Sequence, residues 1–190
     1  MNFDFAFERF DKIIALNNEE KSRFRELVEI VEIEKKTKIL TVGQICRYEY
    51  FVLSGCIRTF YHDEDFNEHT TMFAPEGWWT GNLKSFVRET PSEHFLESIE
   101  KSILIRLNKN SLEELYRLIP KFERYFRILL QNRLLATQDR INNHLSFSAN
   151  ERYKKFLKAY PNLTQRVPLK HIASYLGITP TYLSRLRARR

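Results

Sequence analysis

The sequence predicts an α+β chain in three parts: an antiparallel β-region flanked by helices, one long helix, and a C-terminal helix–turn–helix. Three observations predict it. Apolar and polar residues alternate through much of the stretch from about residue 28 to residue 107, the period of half-buried strands. Apolar residues recur at three- and four-residue steps from Lys121 to about Leu145, the period of a helix. The last stretch, PLKHIASYLGITPTYLSRLRARR, holds two short helical patterns around a glycine. The expected boundaries are residues 1–120 for the β-domain, 121–145 for the long helix and 146–190 for the helix–turn–helix domain.

In chain order, residues 6–15 are expected as a short helix. Asn17-Asn18-Glu19-Glu20 offers a cap with acids in the first turn, for a helix running to about residue 30. VEIVEIEKKTKILTVGQ then alternates as a strand region. Tyr50–Leu53 and Cys56–Tyr61 read as two strands of a hairpin, turned by Ser54-Gly55. HTTMFAP resumes strand after a polar loop, and Phe95–Leu107 alternates again. Ser111-Leu112-Glu113-Glu114 is a capping-box sequence that opens helical texture, and Pro120 interrupts it. The long helix that follows spans roughly 37 Å at about 1.5 Å per residue. A helix of that length between two small domains is read as a dimer seam, through Phe122, Phe126, Leu129, Leu130, Arg133 and Thr137. The alternative is a helix packed wholly against its own β-domain. Ser148-Ala149-Asn150-Glu151 is a second capping box, starting a helix that Pro161 ends.

The composition narrows the class. A chain that is 43% hydrophobic and 14% aromatic can build a core, so disorder is not expected. The start, MNFDFAFERFDK, lacks the long apolar run of a secretory signal, and nothing approaches the roughly 20 apolar residues that cross a bilayer. Cys46 and Cys56 fit neither a disulfide framework nor a four-ligand metal site. They are expected in the core of a reduced, cytoplasmic protein with no cofactor. An enzyme is not expected. His62, Glu68, His69 and His94 lack metal-ligand spacing, and no nucleophile elbow or phosphate loop is present.

The last 23 residues say most about function. Ile172 and Leu176 share a face of the first helix, and Leu183 and Leu186 share the inner face of the second. Ala173 sits where the helices cross. Gly177 falls where a left-handed residue ends a helix. Thr179 can cap the next helix and Pro180 suits its first position. The second helix then points Thr181, Tyr182, Ser184, Arg185 and Arg189 outward, as a major-groove reader requires. Residues 151–190 carry ten Lys and Arg against one acid, whereas the whole chain is only +7. The positive field therefore belongs to this segment, the electrostatic footprint that phosphate selects. No broad exposed apolar face accompanies it, so a membrane is not the expected partner.

The order of elements, with YFVLSGCIRTFY in the β-region and HIASYLGITPTYLSRLRARR at the end, resembles the Crp/Fnr family of bacterial transcription regulators, and most of all its small Bacteroidetes-type members. The resemblance covers essentially the whole chain. It implies a cyclic-nucleotide-binding-like antiparallel β-roll, a homodimer along the long helix, and DNA binding that recruits or blocks RNA polymerase. Ser184 and Arg185 match the family's base-reading positions, while Pro180 and Thr181 depart from the cyclic-AMP receptor protein, so a different DNA site is expected. No strands follow the second helix, so a developed wing is not expected.

The family's cyclic-nucleotide cassette has a Gly-Glu pair for the ribose and an Arg-Ser/Thr pair for the phosphate. Here Gly77 precedes Trp78, and Ser92-Glu93 stand at the expected phosphate positions. A buried phosphate needs a charge-assisted partner, so gating by cyclic AMP is not expected. Arg88 is the one nearby substitute. Phe73, Trp78 and Trp79, with Arg88, could line a pocket for an unknown small-molecule effector; the alternative is ordinary packing of the roll. The expected function is a homodimeric, sequence-specific regulator of double-stranded DNA, using Lys170, Thr179, Thr181, Tyr182, Ser184, Arg185, Arg187 and Arg189. The alternative is a sensing or protein-interaction module of the same fold that no longer reads DNA.

Overall fold

The computed structural model describes residues 3–188. Helices α1 (Asp4–Asp11) and α2 (Asn18–Leu27) open the chain. The strands follow as β1 (Glu29–Ile33), β2 (Lys38–Leu40), β3 (Tyr48–Ser54), β4 (Ile57–His62), β5 (Glu68–Ala74) and β6 (Trp79–Thr80). The short helix α3 (Leu83–Arg88) leads to β7 (Phe95–Ser98) and β8 (Ser102–Asn108). The helices α4 (Lys109–Leu118), α5 (Lys121–Ser146), α6 (Ala149–Ala159), α7 (Leu163–Arg166), α8 (Leu169–Leu176) and α9 (Pro180–Ala188) complete it.

The strands form two four-stranded antiparallel sheets, in orders β1-β8-β3-β6 and β2-β7-β4-β5. Together they make a β-roll. The expected hairpin of Tyr50–Leu53 with Cys56–Tyr61 does not form, because β3 and β4 belong to opposite sheets. Ser54-Gly55-Cys56 instead carries the chain across. Gly55 holds φ +97° with the Ser102 side chain pressed against it, leaving no room for a Cβ. A local turn signal was present; the sheet joined by each strand was decided elsewhere. β3 pairs with β8 over Tyr48–Ser54, and β4 pairs with β7 over Ile57–Phe60.

The period-2 pattern splits β3 and β8 between two cores. Tyr50, Val52, Ile57, Leu96 and Leu104 fill the roll interior with Phe86 of α3. Phe51, Ile105 and Leu107 face the helices, where Phe10 and Phe24 meet Leu115, Phe122 and Tyr125. Phe10 is the hub of this second core, with ring centroids 5.2 Å from Phe24, 5.3 Å from Phe51 and 5.5 Å from Phe122. Such aromatic pairs add to the burial of their area.

Helix boundaries follow their caps. Asn17 and Glu20 form a reciprocal capping box at α2. α2 stops at Leu27, short of residue 30, because Glu29–Ile33 pairs with β8. Asn108, not Ser111, caps α4: its side chain accepts from the Ser111 amide at 2.9 Å. β8 runs directly into the helix, so the Ser111–Glu114 box stands within α4 rather than at its start. α5 covers 26 residues, about 39 Å. Its first turns wedge between α1, α2 and the roll. Phe122, expected on the dimer seam, is fully buried in this protomer's own core and cannot reach a second chain.

Candidate nucleic-acid interface

Helices α6 to α9 form a small module around Tyr153, Phe156, Leu163, Val167, Ile172, Ala173, Leu176 and Leu183. Ser148 and Glu151 form the capping box that starts α6. Gly177 adopts φ +64° at the end of α8, the left-handed C-terminal residue the spacing called for. Thr179 accepts from the Tyr182 amide at 3.2 Å, capping α9. Ala173 has no accessible surface where the two helices cross. Leu183 is buried and Leu186 half-buried beneath α9.

The opposite face of α9 is open. Thr179, Thr181, Tyr182, Ser184, Arg185 and Arg187 are all exposed, as is Lys170 on α8. Arg189 lies outside the described residues. Among the described residues, Arg185 and Arg187 make no ion pair with this chain's carboxylates. Not all of the positive segment is free. The Arg152 guanidinium donates to the carbonyls of Leu176 (3.2 Å) and Phe147 (2.8 Å), tying α8 to the end of α5. Arg166 pairs with Glu76 and Glu100 of the roll.

Sequence reasoning missed a group of residues that seat this module. Arg58 of β4 is 3% exposed and donates from Nε to Glu97 and from Nη1 to Glu68, each at 2.6 Å. Its Nη1 also lies 2.8 Å from Nδ1 of His171 on α8. Burial, then the Arg58 charge, pull the His171 pKa down to about 4. Ser174 of α8 and Arg140 of α5 bond to the backbone of β5. The available signal was Arg58 itself, a lone cation in the apolar run YFVLSGCIRTFY; its partners lie up to 113 residues away.

The four expected effector residues do not converge. Phe73 is buried against Phe156, Tyr160 and Tyr175 of the module. Trp78 lies beside Tyr160, ring centroids 5.7 Å apart. Trp79 packs on Phe51 and Phe126 and donates to the Tyr125 hydroxyl at 3.2 Å. Arg88 is exposed at the end of α3. Around α3, polar groups satisfy one another. The Asn82 amide donates to Ser92 Oγ at 2.8 Å, which donates to the His94 carbonyl. Glu93 points outward to Lys84.

Along α5 the expected seam separates into two groups. Phe126 and Leu129 are partly buried against the helical core. Leu130, Leu134, Ile141 and Leu145 are exposed, with Thr137 on the same stripe at steps of three and four. Arg133 is half-buried, and its charge acts on Glu49 of β3. Glu49 is 8% exposed, and its Oε1 has no hydrogen-bond partner. Burial, partly offset by Arg133, pushes its pKa up to about 7. No described helix is long and apolar enough to cross a membrane.

No family model matches the chain. It is 26% identical over 192 residues to the fumarate and nitrate reduction regulatory protein of Vibrio cholerae, covering 92% of this chain and 74% of that one. It is 26% identical over 173 residues to the regulatory protein HlyX of Actinobacillus pleuropneumoniae, covering 83% and 69%. Among solved structures, FixK2 from Bradyrhizobium japonicum superposes with a TM-score of 0.75 at 18% identity, over 85% of this chain and 83% of that one. The catabolite activator protein of Thermus thermophilus gives 0.61 at 21% identity, over 95% and 85%. These structural likenesses concern the fold.

Proposed function

We propose that this chain, a member of the Crp/Fnr family of transcription regulators, reads a two-fold-symmetric site on double-stranded DNA as a cytoplasmic homodimer. The observation that carries this is the open face of α9, with hydroxyls at Thr181 and Ser184 and unpaired guanidiniums at Arg185 and Arg187. An α-helix enters the major groove, where Arg can bond both acceptors of guanine. Lys170 and the Thr179 hydroxyl lie beside this face and suit phosphate. Leu130, Leu134, Thr137, Ile141 and Leu145 of α5 supply the stripe along which two copies pair.

Gating by cyclic AMP in the family manner is not part of this proposal. Apolar side chains occupy the roll interior, and Arg88, the substitute for the missing phosphate ligand that the sequence offered, faces solvent. A bound regulator of this kind would recruit or block RNA polymerase.

The test is selection of bound sequences from a random duplex pool at about 0.15 M salt without added ligand. A palindromic site is expected. On that site Arg185→Ala costs about 1–3 kcal/mol and relaxes specificity. Equal losses on cognate and random DNA refute base reading by Arg185, and a wild-type chain that enriches nothing refutes the function.

A further inference from the structure

We infer that Ser174 and Arg58 are positioning residues for DNA reading: they key the module to one register on the roll and so fix where α9 points. The inference rests on the DNA-reading function above. Its starting point is β5, an edge strand of the sheet β2-β7-β4-β5. An edge leaves backbone N–H and C=O groups without strand partners. Here the missing neighbour is replaced by side chains. Ser174 Oγ accepts from the Thr70 amide at 2.8 Å and donates to the Glu68 carbonyl at 2.6 Å. Arg140, at the far end of α5, donates to the carbonyl of Thr71.

This contact is specific in register. A hydroxyl that must accept from one amide and donate to a carbonyl two residues away fits one position along the strand. Arg58 adds a second fixed point. Its guanidinium holds Glu68 and Glu97, and its Nη1 donates to Nδ1 of His171. A guanidinium has no acceptor, so His171 must present a lone pair at Nδ1. Between these points the aromatic patch of Phe73 with Phe156, Tyr160 and Tyr175 supplies area without direction. Apolar patches tolerate sliding; the two polar keys do not.

The orientation passes to α9 because α8 and α9 share one close-packed core through Ala173, Leu176 and Leu183. Thr181, Ser184 and Arg185 on α9 stay exposed in this docked arrangement. In a dimer, two heads keyed in this way stand at a set separation. The second half-site is then captured at a high effective concentration only when its spacing matches.

The experiment uses the full chain and duplexes carrying two selected half-sites at varied spacings. Ser174→Ala removes the key while keeping a good helix former. Arg58→Lys keeps the charge but loses the fork that reaches three groups. Two effects are expected. Hydrogen exchange at the Thr70 amide quickens by about tenfold in Ser174→Ala. In both variants the preference for the best spacing over its neighbours flattens by about tenfold, while affinity for an isolated half-site stays near wild type at temperatures well below melting. Unchanged spacing preference in both variants, with Thr70 deprotected in Ser174→Ala, overturns the positioning role. Loss of single-half-site binding in step with melting assigns these residues to stability instead and also overturns it. A wild-type chain that selects no sequence defeats the DNA-reading premise, which the pool selection detects separately.

Discussion

The two halves of α5 are built from the same residue types and meet opposite fates. In the first turns Phe122 and Tyr125 are buried among Phe10, Phe24 and Leu115. From the third turn on, Leu130, Leu134, Leu135, Ile141 and Leu145 stand between 46% and 81% exposed. The difference shows that helical periodicity reports which residues share a face, not what covers it. One half is covered by the chain's own helices. The other touches the roll through Arg140 and leaves a stripe of leucines in water, which does not favour them; the seam proposed above therefore starts at Leu130, not at Phe122.

Phe122→Ala gives the largest expected effect, because it empties the centre of an aromatic cluster. It should cost about 3–5 kcal/mol of protomer stability in denaturant titration. A loss under about 1 kcal/mol would mean that the first half is not core, and the contrast between the halves would fail. Leu134→Glu is the converse probe. At 60% exposure the residue contributes little to its own protomer, so the melting temperature at high dilution should barely change. Its carboxylate would be desolvated in a paired seam, and dimer dissociation should rise by at least about a hundredfold. An unchanged mass in sedimentation would remove the seam from the second half of α5.

Where the halves meet, the charge of Arg133 acts on the buried carboxyl of Glu49. Its folded pKa, about 7, lies above the ordinary value of 4.5. The folded state therefore holds this proton more tightly than the unfolded chain. The resulting stability is full below pH 4.5 and is lost as pH rises through 7. Glu49→Gln, which cannot ionise, should be more stable than wild type at pH 8 by about 2–3 kcal/mol, with little difference at pH 4.5. An equal gap at both pH values would show that Glu49 is not the titrating group.

The smallest effect concerns His171, whose pKa falls from 6.5 to about 4 when docked. A depressed pKa has the opposite sign: the docking contribution is full above 6.5 and is lost as pH falls from there toward 4. Arg58 of β4, Glu68 of β5, Glu97 of β7 and Lys170 of α8 are the charges around this ring. Between pH 7 and pH 5, docking should weaken by about 1–2 kcal/mol, read as faster exchange of the Thr70 amide after correction for intrinsic rates. His171→Gln should lack that slope.

Much of the candidate site was legible because its signals are local. Gly177, Thr179 and Pro180 mark a turn whose geometry is set within five residues, and Leu183 faces inward by spacing alone. The exposure of Thr181, Ser184 and Arg185 follows from the same helical period. Which of the two readings of Phe73, Trp78 and Trp79 applies, a pocket or ordinary packing, was not legible for the opposite reason. Phe73 and Trp79 are two aromatic residues in neighbouring segments, yet one packs on α6 and α8 and the other on α5.

Periodicity, caps and charge therefore determined the elements, the helix–turn–helix and the location of the positive field, because each depends on neighbours a few bonds away. Only the tertiary structure decided that β3 and β4 part into different sheets, that Phe122 turns inward, and that Arg58 meets His171 across 113 residues. Such contacts depend on closing long loops around a shared core, whose cost is nearly blind to local sequence. The partner a side chain finds is set by which surfaces the whole chain brings together.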